Sequence, residues 1–263
     1  MKRSKIAWCD YSGGDLNFVT GCTPVSEGCA NCYARRIYER FGRDFSQVQM
    51  HPEKLARLWK AAWTREANVR GAGSKPLMFV CDTGDLFHEG VAHIFILEAL
   101  EMMEYRESAN WAILTKRPQR AINVLFEQEG DFRLGGGDYI DNIWLGVTAE
   151  NQARADERLP LLLSNWGGLS WVSVEPMLGP LDLSPYLTRN RYGGHLSWVV
   201  CGAESGPGRR VFSVTWAQAL YEQCRQAGVA FFGEQDSGLR PGTPLLLERS
   251  DGSLGEVHEW PQA

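Results

Sequence analysis

The chain has no apolar run near the length of roughly 20 residues that a membrane-spanning helix needs. Nor does an apolar core follow its basic start, Met1-Lys2-Arg3-Ser4-Lys5, so no secretory leader is expected. These two absences lead to the expectation of a cytoplasmic protein with no membrane partner. Positive charge is also in short supply. Lys and Arg number 27 against 32 Asp and Glu, for a net charge of -5, which argues against a histone-like, non-specific nucleic-acid binder while leaving room for a local basic groove. The seven cysteines are an odd number, and in a reducing compartment they do not form a disulfide framework. With 263 residues, 44% of them apolar, the chain is expected to form one domain over residues 1–263 with a substantial core.

What is present is concentrated in one short stretch, Gly21-Cys22-Thr23-Pro24-Val25-Ser26-Glu27-Gly28-Cys29-Ala30-Asn31-Cys32-Tyr33. Three clustered thiolates suit three irons of a 4Fe–4S cluster. They are one short of the four ligands of a closed structural zinc site. Two alternatives stay open at this point: a zinc site completed by His88 or His195, and a redox pair formed by Cys29 and Cys32. Gly21 and Gly28 let the backbone wrap a cluster closely. A helix expected over Tyr33–Phe41 would place a helix N-terminus, with its partial positive charge, beside it. Cys81, Cys201 and Cys224 lie in apolar runs and read as packing residues; Cys9 stands apart.

Beyond this stretch, short apolar runs recur, each followed by polar residues. They begin at Leu77, Trp111, Ile143, Leu169, Trp198 and Val229. Their length and composition fit strands buried on both faces of a parallel sheet. A further strand is expected around Leu16–Thr20. Helical patterns lie over Pro52–Val69, Gly90–Tyr105, Asn151–Leu163 and Thr215–Ala227, and such alternation reads as βαβ units. The expected fold class is therefore α/β, a partial (β/α) barrel of about six to seven parallel strands, with a doubly wound sheet as the rival. In both folds the ligand site gathers at the C-terminal ends of the strands. Here those ends carry Asp82 and Asp85; Lys116 and Arg117; Thr148, Glu150 and Asn151; Glu175; Glu204 and Ser205.

In combination these phrases resemble the phage three-Cys-motif family, a group of radical-S-adenosylmethionine-like proteins. The matching stretches are Ser4–Trp8, Val19–Ala34, Asp85–Glu89, Leu114–Pro118, Trp144–Val147, Glu150-Asn151, Ala155–Leu159, Val174–Pro176, Leu178–Asp182 and Gly202–Pro207. Two stretches depart from the family pattern. Leu16-Asn17-Phe18 stands where Trp-Asn-Pro is usual, and Glu234-Gln235-Asp236 stands where Lys-Gln-Trp is usual. The gaps between the cysteines are six residues and then two; the commonest radical-S-adenosylmethionine spacing is three and two.

The resemblance implies a radical-S-adenosylmethionine-like fold and a 4Fe–4S cluster on Cys22, Cys29 and Cys32. It also implies S-adenosylmethionine as cofactor and an electron donor such as flavodoxin or ferredoxin. Asp82, Asp85, Thr148, Glu150, Asn151, Ser205 and Tyr33 are then the candidate cofactor contacts. Glu175, Glu204 and Lys116 are the candidate catalytic groups. Arg117 and His88 are the candidate substrate ligands, and Arg209 and Arg210 stand as a further basic pair. The expected substrate is nucleic acid, a hypermodified base in phage DNA such as an amino-acid-substituted thymine. Tyr11, Trp63 and Phe87 are placed to stack on an extruded base. A protein or small-metabolite substrate, and a zinc-stabilised nucleic-acid-binding module, are the rival expectations.

Overall fold

The computed structural model describes residues 3–61, 74–126, 140–189 and 193–262. Its elements follow the alternation expected from the sequence. In chain order they are β1 (Val19–Thr20), α1 (Tyr33–Arg40), β2 (Gln49–Met50), α2 (Pro52–Lys60), β3 (Leu77–Phe79), α3 (His93–Tyr105), β4 (Asn110–Thr115) and α4 (Pro118–Phe126). They continue with β5 (Ile143–Thr148), α5 (Gln152–Asn165), β6 (Ser170–Val174), the short α6 (Ser184–Leu187), β7 (Trp198–Gly202), α7 (Val214–Ala227) and β8 (Ala230–Gln235). A small ribbon of Leu247–Glu248 with Leu254–Gly255 follows.

Strands β3 to β8 form one sheet whose spatial order is the sequence order, and its strands run parallel. A doubly wound sheet reverses strand order at a switch point; a barrel does not. The unbroken order, with β3 and β8 not neighbours, makes this a partial (β/α) barrel of six strands. The run at Leu16–Thr20 does not supply a seventh. There the chain makes a single 3-10 turn, Gly14–Leu16, and then the two-residue β1, which pairs antiparallel with β2 outside the main sheet. The pattern expected as a helix over Pro52–Val69 is helical from Pro52 to Lys60; its continuation lies outside the described residues.

Burial explains why the apolar runs become strands. Every residue of β5, β6 and β7 is buried. β4 to β7 each carry, at their first or second residue, a tryptophan with no solvent exposure: Trp111, Trp144, Trp171 and Trp198. Trp171 and Trp198 stand opposite each other in register, with ring centroids 5.5 Å apart. Gly146 makes room for this packing, since a Cβ there would lie 2.3 Å from the Trp171 ring. The strand starts thus serve packing, and the polar strand ends are left for other work.

The chain divides into two compact units. The first comprises Met1–Val25 with Cys32–Leu145, and the second Ser26–Asn31 with Gly146–Ala263. The division cuts the cysteine stretch, so Cys22 and Cys32 go with the first unit and Cys29 with the second. Among the described residues, no helix is long and apolar enough to cross a membrane.

Candidate functional site

In the first unit, the strand ends hold the segment that carries Cys22. Gly21 has a φ of +83°, and a Cβ on it would lie 2.3 Å from the Gln47 carbonyl oxygen; only glycine takes this path without strain. The Gly21 N–H donates to the Thr83 carbonyl at 3.0 Å and the Cys22 N–H to the Phe45 carbonyl at 2.8 Å. Just past β4 sits the buried Arg117. Its Nε donates to Glu89 at 2.8 Å, and its Nη1 donates to Asp85 at 3.2 Å and to Cys22 Sγ at 3.4 Å. Its Nη2 reaches the Thr23 carbonyl at 3.1 Å and Thr23 Oγ1 at 3.0 Å. Burial alone would lower the Arg117 pKa, but Asp85, Cys22 and Glu89 together carry it above its ordinary value. The planar fork is used in full, so this side chain positions the loop.

His88 has a similar role. Its Nδ1 accepts the Gly90 N–H at 2.9 Å, which makes Nε2 the protonated nitrogen. Nε2 in turn donates to Thr23 Oγ1 at 2.8 Å. Burial, with the nearby Arg117 charge, pushes the imidazole pKa below its usual value. Asp85 is buried and accepts from the Phe87 N–H at 3.0 Å, Thr115 Oγ1 at 2.8 Å, the Lys116 N–H at 3.3 Å and Arg117. It anchors the network at the ends of β3 and β4.

Asp82 is different in kind. It is half-buried, and burial pushes its carboxyl pKa up, opposed by hydrogen bonds from Asn17 and Ser12. Asn17 Nδ2 donates to its Oδ1 at 2.5 Å. The Tyr33 hydroxyl donates to its backbone carbonyl. The residue before it, Cys81, has a φ of 55° and is the one non-glycine residue with positive φ among the described residues. Strain at such a position is found where the surrounding structure over-determines the backbone, often at functional sites. Phe87, expected to stack on a base, is fully buried. Tyr11 is half-buried and bridges Met78. Trp63 lies outside the described residues.

In the second unit, the later strand ends grip the segment that carries Cys29. Glu150 has no solvent exposure. Its Oε1 accepts the Gly28 N–H at 3.1 Å, and its Oε2 accepts Arg158 Nη1 at 2.9 Å. Arg158 Nη1 also donates to the Thr148 carbonyl at 2.8 Å. Asn151 caps α5, its Oδ1 accepting the Arg154 N–H at 3.0 Å, while its Nδ2 donates to Glu27. Arg154 Nη2 adds an ion pair to Glu27 at 3.1 Å. Hydrogen bonds to its own backbone, Asn151 and Arg154 hold the Glu27 carboxyl down to about 2.

Glu204 accepts from Asn31 Nδ2 at 2.9 Å and from the Arg210 N–H at 2.8 Å, and it pairs with the Arg210 guanidinium. Burial would raise its pKa, but Arg210 and Asn31 keep it low. Arg210 Nη1 finally donates to the Glu27 carbonyl at 2.8 Å. Glu150, Asn151 and Glu204 therefore direct polar atoms to the cysteine segment and its supports, and Thr148 gives its carbonyl to Arg158.

The remaining candidates lie nearby in the same unit. Glu175 is half-buried and accepts from Gln235 Nε2 at 3.2 Å. Ser205 forms a bridge with Gly238. Arg209 donates to Ser237 Oγ at 3.0 Å. The sequence reading missed Thr23, Glu27, Asn31 and Arg158. Glu27 and Asn31 lie between the cysteines, which was a usable signal; nothing local marked Arg158 as the partner of Glu150.

None of the seven cysteines is in a disulfide. Among the described residues no group of three or more His, Cys, Asp and Glu side chains is arranged to hold a metal ion. Cys22, Cys29 and Cys32 thus do not stand together as a metal site among the described residues, with or without His88 or His195. The donor chemistry still suits a cluster. The loop offers sulfur, and its one carboxylate, Glu27, is engaged by Asn151 and Arg154. Soft thiolates select iron–sulfur clusters over hard cations.

Compared with curated proteins, the chain matches none. Among solved structures it is similar to one described as "Spore photoproduct lyase complexed with dinucleoside spore photoproduct". The identity is 14% and the TM-score 0.55, over 89% of this chain and 78% of that chain. At that identity the likeness is one of fold, and it agrees with the partial (β/α) barrel. A family model described as "Protein of unknown function (DUF5131)" matches residues 3–250. The chain belongs to that family.

Proposed function

We propose that this protein is a radical S-adenosylmethionine enzyme of the phage three-Cys-motif kind, with a base in DNA as its substrate. The observation that carries this reading is the use made of the strand ends. Arg117 and His88 in the first unit, and Glu150, Asn151, Glu204 and Arg210 in the second, spend their polar atoms on the two parts of one cysteine loop. An ordinary surface loop does not receive two buried ion pairs, Arg117 with Asp85 and Arg158 with Glu150. Such pairs are costly unless every partner is in place, which is what holding ligands in a fixed geometry requires.

Cys22, Cys29 and Cys32 would hold the 4Fe–4S cluster. When bound, the cluster and S-adenosylmethionine supply one-electron cleavage of the cofactor to methionine and a 5′-deoxyadenosyl radical that abstracts hydrogen from the substrate. The chain's own contribution is to bind, orient and exclude water. The Arg117 guanidinium, 3.4 Å from Cys22 Sγ, offsets thiolate charge. Asp82, with its raised carboxyl pKa and its hydrogen bond from Asn17, is the strand-end acid suited to an ammonium or a ribose hydroxyl. Glu175 is the carboxylate suited to the substrate side.

The fold shared with a lyase whose structure contains a dinucleoside photoproduct supports nucleic acid as the substrate class. So does the resemblance to a phage family, which points to hypermodified, amino-acid-substituted thymine. The test is anaerobic incubation with S-adenosylmethionine, a reductant and DNA from phages that carry modified thymine, followed by nucleoside analysis. The reading expects 5′-deoxyadenosine together with one altered nucleoside. Formation of 5′-deoxyadenosine with a peptide or small metabolite, and no altered nucleoside, would transfer the substrate to the rival class.

A further inference from the structure

A polar cleft of about 400 Å³ opens in the first unit, and three local features wall it. Helix α1 ends at Gly42, whose φ of +64° turns the chain back so that the Arg43 N–H returns to the Tyr38 carbonyl at 3.0 Å. This sets Arg43 beside Tyr38 on one wall. The ribbon of β1 and β2 pairs Thr20 with Gln49, and opposite residues of an antiparallel pair share a face. The third wall is the start of α2, with His51 at the N-cap and Lys54 in the first turn.

The lining is rich in open donors. Among the described residues, the Arg43 guanidinium, the Gln49 amide and the Tyr38 hydroxyl make no hydrogen bond or ion pair. Lys54 spends one of its three N–H groups on the Asn17 carbonyl, at 2.9 Å. His51 Nε2 lies 2.8 Å from Thr20 Oγ1. Burial, with the Lys54 charge, lowers the His51 pKa from 6.5, so the ring is neutral at pH 7. Glu53, 3.6 Å from His51 Nδ1, opposes that shift and stands outside the lining. The one carboxylate of the lining, Asp44, is turned to its own loop. Its Oδ1 accepts the Ser46 N–H at 2.9 Å and Ser46 Oγ at 2.7 Å, and its Oδ2 accepts Gln47 Nε2 at 3.2 Å. Arg43 and Lys54 against Asp44 leave one net positive charge. The N-terminus of α2, where His51 makes no side-chain cap, adds its partial positive charge.

Open donors and positive charge select an anion. Donors on three walls exceed what the two oxygens of a carboxylate can use, and they suit the several oxygens of a phosphate. A single net charge matches a phosphodiester or a singly charged phosphate ester. Thr20 lies two positions before Cys22, a stretch the chain spans in about 7 Å, so an anion here is held next to the cysteine loop.

We propose that the cleft walled by Arg43, Gln49 and Lys54 is a phosphate-binding site. Its ligand is a phosphodiester of a nucleic-acid strand or a free phosphorylated compound. The strand rests on the substrate reading above; the anion site does not.

The test uses the full chain and needs no bound cluster. Inorganic phosphate is titrated and followed by amide NMR shifts, and a labelled single-stranded oligothymidylate is titrated by fluorescence anisotropy at several salt concentrations. Phosphate is expected to shift the Arg43, Gln49 and His51 amides. Arg43→Ala should weaken phosphate about tenfold or more, the usual loss for a charged hydrogen bond, and Gln49→Ala should weaken it less. Both side chains are exposed, so the variants keep the wild-type circular dichroism. With a strand as the source, Arg43→Ala also weakens the oligonucleotide and lowers its salt slope by about 0.7, the mark of one phosphate contact. With a free phosphorylated compound as the source, phosphate affinity falls and oligonucleotide affinity does not move. The absence of phosphate shifts, equal shifts with acetate, or unchanged phosphate affinity in Arg43→Ala overturns the site. A chain that binds phosphate here but takes up no iron removes the radical reading instead, so the two failures are distinguishable.

Discussion

The Gly28 N–H donates to the Glu150 carboxylate at 3.1 Å, joining the middle of the cysteine stretch to a strand end 122 positions away in the chain. The contact leaves no room for error. A Cβ on Gly28 would lie 2.8 Å from Glu150 Oε1, and the carboxylate is unable to retreat because Arg158 holds its other oxygen at 2.9 Å.

Glu150→Ala would orphan the Gly28 N–H and leave the Arg158 charge buried without its partner. The expected cost is about 3–5 kcal/mol, the usual penalty for removing one member of a buried pair. Gly28→Ala overpacks the same contact and should cost about 1–3 kcal/mol. Urea unfolding of each variant checks both values. Equal stability of Glu150→Ala and wild type would show that the clamp contributes nothing.

Arg117 is expected to tolerate neither neutral nor conservative replacement. Arg117→Met leaves Asp85 buried and unpaired, again at about 3–5 kcal/mol. Arg117→Lys keeps the charge but loses the fork that reaches Asp85, Glu89 and Thr23 together. It should therefore restore part of the stability while leaving the Cys22–Thr23 segment loose. Hydrogen exchange at the Cys22 and Thr23 amides reads that loosening; full protection in Arg117→Lys would mean the fork is dispensable.

His88 carries a pH signature. Its pKa is lowered on folding from 6.5, so the unfolded chain binds the proton more readily. Its contribution to stability is complete above pH 6.5 and is lost as pH falls through the lower folded value. Nitrogen-resolved NMR should show the Nε2–H tautomer and a midpoint below 6.5; an Nδ1–H signal or a higher midpoint would contradict the network.

Glu27 acts in the same direction further into acid. Its folded value of about 2 lies below the ordinary 4.5, so its contribution is present above 4.5 and is lost as pH falls towards 2. Glu27→Gln should remove that part of the acid sensitivity of the Cys29 segment, as followed by hydrogen exchange at the Gly28 and Cys29 amides across that range.

The strands themselves were legible because most of the apolar runs are buried on both faces and so carry a strong local pattern, as in Ile143–Thr148. The seventh strand failed because Val19–Thr20 is only two residues long and pairs with Gln49–Met50, a partner no local pattern announces. The site residues were legible in place but less so in role. Glu150, Asn151, Glu204 and Arg117 do stand at strand ends, where ligands gather. What each side chain touches depends on contacts such as Gly28 with Glu150 and Asn31 with Glu204, which are set by folding over long separations and leave no trace in sequence spacing.

The central claim is that the cysteine loop is built to hold an iron–sulfur cluster. The most direct measurement is the iron and acid-labile sulfide content of anaerobically reconstituted protein, with Cys22→Ala, Cys29→Ala and Cys32→Ala beside the wild type. The account predicts about four irons and four sulfides per chain in the wild type and a loss of most of them in each variant. Zinc without sulfide, or iron that persists in the three variants, would contradict it.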